Sequence, residues 1–407
     1  MTTNSPSRPP QGATLAPNSP APPAIILGGL AAGLGALRAF GRQGHPVLTV
    51  PAADGMLARS RFFRPIYPGA PAIEPDAEAL DTALAQSGLD AGFLCPCSDH
   101  WTAVVADRAA ARPDDPFVSA VATPAVLEQL QNKDAFAQLL RELGVPHPAS
   151  IGIDTPADID KIPAEILERT FLKPRDSQAF MARFERKGWW ISNRDEARRA
   201  VTTATDAGLG LIAQEYIPGP PTQHVFVDGY ASRGRIHAVF ARRRLRMFPA
   251  DFGNSTLLVS IADADVAPAV ESLHRIIGHV GYHGIFSAEF KQDPRDGSYR
   301  ILEINTRPWL FVDFAVRCGV DVCRMAYADA LGQPLPPPAP YRLGVRCIAP
   351  FKDASALRHT KAGPGAWLGL AAMSATALQP VWAWDDPRPG LATLPGIVRR
   401  AAGAMTR

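Results

Sequence analysis

Two glutamates, an asparagine and an arginine share the segment 285–309, IFSAEFKQDPRDGSYRILEINTRPW, at a spacing that could do chemistry. The segment reads as two strands joined by a tight turn. Asp293-Pro294 opens the turn, with proline fixing φ, and Gly297 closes it. Folding back about Arg295 brings Glu289 close to opposite Glu303. Period-2 alternation then puts Glu303, Asn305 and Arg307 on one face, with Glu289 and Lys291 facing them from the partner strand. Phe286, Ala288, Phe290, Leu302 and Ile304 form the other, core-facing set. Carboxylates directly across a sheet repel one another, and a cation between them removes the repulsion. Glu, Glu and Asn are hard oxygen ligands, the set that suits Mg²⁺ shared with nucleotide phosphates. Arg307, just past them, is placed to meet a phosphate oxygen. A surface hairpin with a charged face is the plain alternative, and the run Asn-Thr-Arg-Pro-Trp after Glu303 weighs against it.

Four further features precede the hairpin. Lys133 follows Asn132 at the start of a helix that ends in Gly144-Val145-Pro146. Lys173-Pro174 ends an apolar strand containing Phe171 and Leu172, and Gln214-Glu215-Tyr216-Ile217-Pro218-Gly219 ends another. Arg243-Arg244-Leu245-Arg246 comes last. Singly, each has a plain reading: an exposed helix lysine, a strand-end lysine, a core strand turning, a solvated edge.

The elements that must position these residues change character along the chain. Residues 24–27, 46–50 and 91–95 read as strands, with helices over 30–40 and 77–87 between them, so the first ordered region is α/β with a parallel sheet. Its ligands belong at the carboxyl ends of the strands. The glycines after the first strand are not spaced G-x-G-x-x-G, which weakens a dinucleotide-oxidoreductase reading. From residue 123 the texture becomes α+β. Helices are expected over 124–130, 133–143 and 268–281, short strands over 169–173 and 210–216, and antiparallel strands over 224–230, 235–243 and 257–261. Pro334–Pro340 reads as a linker before a small α/β tail.

In order and spacing, Lys133, Lys173, the strand end at Gln214-Glu215 and the Glu289/Glu303/Asn305/Arg307 hairpin resemble the ATP-grasp superfamily, in particular its carboxylate–amine ligases of the D-aspartate ligase type. The resemblance spans residues 24–331 and extends to Ser60-Arg61-Phe62-Phe63, Ser98-Asp99 and, more weakly, Trp384-Asp385-Asp386-Pro387. It implies a Rossmann-like pre-ATP-grasp domain over 24–122. It also implies an ATP-grasp domain of two α+β subdomains over 123–335, with a lid at about 150–217, and a C-terminal tail over 336–407 that completes the fold. By the same resemblance Lys133 and Lys173 contact the ATP phosphates, and Gln214, Glu215, Tyr216 and Ile217 hold the adenine. Glu289, Glu303 and Asn305 bind one or two Mg²⁺ ions, for which Mn²⁺ can substitute. Arg307 stabilises the transferred phosphoryl group, and Arg244 or Arg243 lies near the γ-phosphate. The stretch after Lys173-Pro174 lacks the family's lid glycines, leaving side chains such as Ser177 or Lys187 to reach phosphate. Thr222, Gln223 and His224 stand where an acidic ribose partner is common. The implied activity is an ADP-forming carbon–nitrogen ligase acting through an acyl phosphate on a small carboxylate and an amine, an amino acid or short peptide; the oligomeric state stays open, with a homodimer as one option.

Composition bounds the rest. The chain has 407 residues, room for two or three cored domains, and a net charge of +3, too small to argue for nucleic acid. Five cysteines, an odd number, fit reduced thiols in a cytoplasmic protein better than a disulfide framework. Cys95-Pro96-Cys97 reads as a buried strand end rather than half of a zinc site. Residues 1–23 are rich in Pro, Ser, Thr and Asn and read as a disordered tail. The uncharged run 366–384 reads as buried rather than membrane-embedded. A nucleotide-binding scaffold without turnover is the competing function.

Overall fold

The apolar run Ala24–Leu27 (β1) is a fully buried inner strand, paired in parallel with β2 (Val47–Val50) and β3 (Gly92–Pro96). With β4 (Phe117–Val118) the order is β2-β1-β3-β4. A parallel strand covered on both faces needs no polar alternation, which is why β1 reads as continuous Ala-Ile-Ile-Leu. The helix Leu30–Arg42 is buried from Ala31 to Phe40. It packs so closely on the helix Val312–Cys318 that a Cβ on Gly35 would lie 2.5 Å from Val312 Cγ1, so glycine is required there. This computed structural model describes residues 21–168, 170–175, 177–186, 188–249 and 253–393, without the side chains of Glu165, Ser177 and Gln178. Residues 1–20 of the expected tail, the Ser177 side chain and Lys187 in the lid, and residues 394–407 therefore lie outside the described residues. Within the described part, Pro22 O accepts from Tyr327 OH at 2.8 Å and Pro23 O from Phe93 N at 2.9 Å, so residue 22 is tied to the helix Val322–Ala330 and residue 23 to the first sheet.

A second sheet carries β5 (Ser150–Ile153), β6 (Thr170–Pro174), β7 (Trp189–Trp190) and β8 (Leu211–Glu215), all antiparallel, in the order β5-β8-β6-β7. Ile153, Leu172, Phe180, Val201 and Leu211 make its own small core beneath the helix Arg194–Asp206, whose N-terminus is capped by Asn193.

The central sheet has six antiparallel strands: β9 (His224–Ser232), β10 (Arg235–Phe248), β11 (Asn254–Ser260), β12 (Gly284–Gln292), β13 (Tyr299–Asn305) and β14 (Arg346–Ile348), in the order β13-β12-β9-β10-β11-β14. One face buries Phe286, Ala288, Phe290, Ile301 and Ile304 with the helices Lys133–Glu142 and Ala267–Val280. Each large side chain there contributes about 1.5–3 kcal/mol by leaving water. The other face puts Phe226, Tyr230, Phe240 and Leu258 in one core with Leu34, Leu37 and Phe40 of the first layer. The mixed architecture, a parallel sheet followed by two antiparallel α+β units, is the fold class expected from the sequence.

The last segment returns to the first domain. Asp386, 1% exposed, accepts from Arg38 Nε at 3.0 Å, Ser60 Oγ at 2.7 Å and the backbone N–H of Arg61 at 2.9 Å. The Arg38 guanidinium also donates to the carbonyl oxygens of Pro380, Val381 and Asp386. The run 366–384 departs from expectation. On the helix Pro364–Thr376 only Leu370 is buried, and Leu368 is 73% exposed. Its large apolar side chains lie around the helix rather than on one face, so packing against the helix Pro350–His359 covers Leu370 and part of Met373 and leaves Trp367 and Leu368 exposed. Among the described residues no helix is long and apolar enough to cross a membrane.

Candidate functional site

The hairpin forms as its sequence requires, with one difference. Gly297 takes φ +75° and donates its N–H to Asp293 O at 2.7 Å. The Asp293 carboxylate gathers Arg295 N at 3.0 Å, Arg295 Nε at 2.8 Å and Arg300 Nε at 2.7 Å. The hydrogen bonds from Arg295, ahead of the opposing effect of burial, hold that carboxyl well below the usual range. Glu289 lies opposite Glu303, and Ser287 opposite Asn305. Beyond Glu289 the register slips, so that Phe290 faces Ile301 and Leu302 is the extra residue of a β-bulge. Ile301 and Ile304 both reach the core, whereas Leu302, expected there, is only half-buried and lines a cleft. The bulge resolves a conflict of parity: without it Ile301 and Ile304 would point to opposite faces.

The cleft has a volume of about 350 Å³. It runs between the hairpin, the start of the helix Lys133–Glu142 and the second sheet. Lys133, Lys173, Gln214, Glu303 and Asn305 line it, as do Asp99 and His100 from the first domain. Lys133 heads its helix beside the N-cap Asn132, and its Nζ donates to Pro174 O and, at 3.2 Å, to Arg175 O. Gln214 Nε2 donates to Ser150 Oγ at 3.2 Å. At the hairpin end Asn305 Nδ2 lies 3.3 Å from Glu303 Oε1, and Arg307 Nη2 3.3 Å from Asn305 Oδ1.

Three groups of expected residues sit differently. Glu215, Tyr216 and Ile217 are not among the residues lining the cleft. The Glu215 carboxylate instead accepts from Arg295 Nη1 at 2.7 Å and from the Ala149 N–H at 3.3 Å, which ties the second sheet to the hairpin turn. Tyr216 OH accepts from Lys291 Nζ at 3.3 Å, and Ile217 is buried. Arg244 is buried rather than facing the cleft. Its Nη2 is 3.0 Å from Glu289 Oε1, its Nε donates to Ser255 Oγ at 2.8 Å, and its guanidinium lies 5.0 Å from the Phe226 ring centroid. Arg307 holds Asp99 in a two-point pair at 2.8 and 2.9 Å. That geometry is a fork on a carboxylate, the same fork that would grip a phosphoryl group.

Two groups here were not assigned a role in advance. His224, the first residue of β9, has Nδ1 2.7 Å from Glu289 Oε1. Asp99, capped into its helix by Ser98, anchors Arg307. His224 shares a strand face with Phe226, which lies opposite Glu289, so it is a diagonal neighbour across the β9–β12 ladder. Strand alternation would have found it once β9 was known to pair with β12. Burial opposes the charge on Glu289, but Arg244 and His224 outweigh it and hold the carboxyl well below the usual carboxylate range. Burial pushes His224 below the ordinary imidazole value despite Glu289 beside it. A neutral His224 with its proton on Nδ1 then donates to an ionised Glu289.

The oxygen set fits a hard divalent cation. Among the described residues no group of three or more His, Cys, Asp and Glu could hold a metal by itself. Two carboxylates and an amide are a partial shell, which suits an ion that takes its remaining oxygens from phosphate and water.

The chain matches no model of a known protein family. It is 21% identical over 256 residues to the D-aspartate ligase of Enterococcus faecium (strain Aus0004), covering 58% of each chain, so it spans little more than half of that relative. Its fold is similar to that of an L-amino acid ligase from Bacillus licheniformis, with a TM-score of 0.56 and 18% identity over 77% of this chain and 75% of that one. It is also similar to an N5-carboxyaminoimidazole synthetase from Staphylococcus aureus complexed with ADP, with a TM-score of 0.60 and 16% identity over 79% and 80%. The parallel first sheet, the smaller antiparallel second sheet and the six-stranded sheet together have the ATP-grasp fold of these structural neighbours.

Proposed function

We propose that the protein is an ATP-dependent carboxylate–amine ligase that releases ADP and phosphate, and that its domains fall at 24–122, 123–335 and 336–407. The observation that carries this reading is the register of β12 on β13. It sets Glu289 opposite Glu303, with Asn305 and Arg307 following on the same edge, at the end of a cleft lined by two lysines. Phosphoryl transfer asks a protein for position and charge neutralisation rather than covalent chemistry. Lys133 and Lys173 are the cations for the phosphate chain, and Gln214 lies on the same wall for the nucleotide. Glu289, Glu303 and Asn305 would hold Mg²⁺, which when bound neutralises phosphate charge. Glu215, Tyr216 and Ile217 would turn to the adenine only if the end of β8 moves away from the hairpin turn, releasing Arg295.

In the reaction, an oxygen of the substrate carboxylate attacks the γ-phosphorus and the bond to the ADP oxygen breaks, giving an acyl phosphate. The amine attacks the acyl carbon and loses a proton, and phosphate departs with its electron pair. Arg307 would leave Asp99 for the phosphoryl oxygens during the first step. Amino acids or short peptides are the substrate class we favour, in line with the names of the D-aspartate and L-amino acid ligases. Five buried free thiols support a reducing, cytoplasmic setting.

The test is incubation with MgATP and pooled amino acids, with and without hydroxylamine. Amino-acid-dependent ADP and phosphate, with hydroxamate in the trap, is the expected result. AMP in place of ADP refutes the acyl-phosphate step, and nucleotide binding without turnover across a broad panel leaves a scaffold.

A further inference from the structure

Both contacts to the Glu289 carboxylate fall on the same oxygen. His224 Nδ1 lies 2.7 Å and Arg244 Nη2 3.0 Å from Oε1. Neither donor is free to wander. Arg244 is fixed by Ser255 Oγ and by the face of Phe226, and His224 is buried where β9 begins, its backbone in register with Lys291 of β12. A carboxylate anchored through one oxygen from two directions has its remaining rotation removed, and its second oxygen is aimed. On β13 the residue directly opposite Glu289 is Glu303.

From this the geometry points to His224 as a positioning residue. By donating from Nδ1 to Glu289 Oε1 it orients the other oxygen, Oε2, for the divalent cation that accompanies the nucleotide. The inference rests on the ligase reading for the identity of that cation. Arg244 alone would neutralise Glu289, yet one donor leaves the carboxylate free to swing about that contact. The imidazole is the second point that defines a plane. Outer contacts of this kind change metal affinity by about 10–100-fold when removed.

The test uses the full-length protein, Mn²⁺ as the probe ion and a non-hydrolysable ATP analogue. Mn²⁺ affinity is read by electron paramagnetic resonance, and nucleotide affinity is read separately without metal. His224→Asn keeps an amide nitrogen near the position of Nδ1, whereas His224→Gln carries it out toward Nε2 and His224→Ala has none. Expected are near wild-type Mn²⁺ binding for Asn, a loss of about 10-fold or more for Gln and Ala, and unchanged metal-free nucleotide affinity for all three. Should Ala fail to fold, the Asn and Gln pair carries the comparison. Equal Mn²⁺ affinity in wild type and Gln overturns the inference, as does an equal loss in Asn and Gln, which marks a packing role. A wild-type protein that binds neither nucleotide nor Mn²⁺ overturns the ligase reading and this inference with it. The first two results leave the ligase reading standing.

Discussion

Replacing Asp386 with alanine should destabilise the protein by about 3 kcal/mol, at the lower end of the 3–5 kcal/mol expected when one member of a buried ion pair is removed. The structure sets the figure. Arg38 is fully buried, and among the described residues Asp386 is its one hydrogen-bonded carboxylate. Removing the carboxylate also strips the partner from Ser60 Oγ and from the Arg61 N–H. Three carbonyl oxygens, of Pro380, Val381 and residue 386 itself, still receive the guanidinium, and Asp313 acts on it at longer range, which holds the loss to the low end. Against a typical total of about 5–15 kcal/mol this is a large fraction. Urea unfolding followed by fluorescence reads it, because Trp382 and Trp384 lie just before Asp386 in sequence and meet edge-on with ring centroids 5.6 Å apart. The double replacement Arg38→Met with Asp386→Leu should recover most of the loss, since an apolar pair of similar volume leaves no stranded charge. Arg198→Ala, which removes exposed pairs to Asp160 and Asp195, should cost less than about 1 kcal/mol. An Asp386→Ala effect no larger than that of Arg198→Ala, or a double mutant no better than the single, would refute the reasoning.

Under the proposed ligase reading, Glu303→Gln should abolish metal-dependent ADP formation with the fold intact, because it removes the carboxylate charge opposite Glu289; retention of near wild-type turnover takes Glu303 out of the site. Arg307→Lys should slow ADP formation at least about 100-fold, because an ammonium cannot reproduce the fork that now grips Asp99 at two points, and comparable rates would show that a point charge suffices. Burial pushes His45 and His283 below the ordinary imidazole value, so the unfolded chain binds the extra protons. Their contribution to stability is therefore complete above about pH 6.5 and is lost as pH falls from there toward the folded values. The melting temperature should fall between pH 7.5 and 5.5, His283→Asn should flatten the slope, and a level profile in the wild type would contradict this. All five cysteines are buried and burial pushes the Cys318 thiol up to about 11, so thiol reagents should label the native protein only as fast as it unfolds.

What could be read in the sequence was local. The two strands and turn of 285–309 and the opposition of Glu289 to Glu303 follow from alternation and turn chemistry, and the register bears them out, with Arg307 lying beyond the end of β13 at Asn305. The bulge at Leu302 was not legible, because strict alternation assigns Ile304 to the core and therefore Ile301 to the cleft. Only the packing of both isoleucines beneath the sheet reveals the slip. Contacts that depend on the order of strands were equally hidden. His224 meets Glu289 across 65 residues, and Asp99 meets Arg307 across 208. Arg244 illustrates the same limit. Its place in an arginine run reads as a solvated edge, and the resemblance sets it or Arg243 near the γ-phosphate, whereas its side chain is buried against Glu289. Glu215 was read from its strand end, and nothing local foretells that Arg295, 80 residues on, takes its carboxylate.

The pairing of Arg38 with Asp386 has a consequence for synthesis. The two residues are 348 apart, so the helix Leu30–Arg42 must wait for its counter-charge until those 348 residues have followed it. At about 5–20 residues per second the delay is roughly 17–70 s. During that interval the first domain holds a guanidinium that cannot be buried without its partner, together with a strand-and-helix layer whose covering sheet does not yet exist. The nascent N-terminal domain should therefore remain loosely closed on the ribosome and engage chaperones. Its final consolidation is timed by the arrival of residues 380–386 rather than by its own sequence.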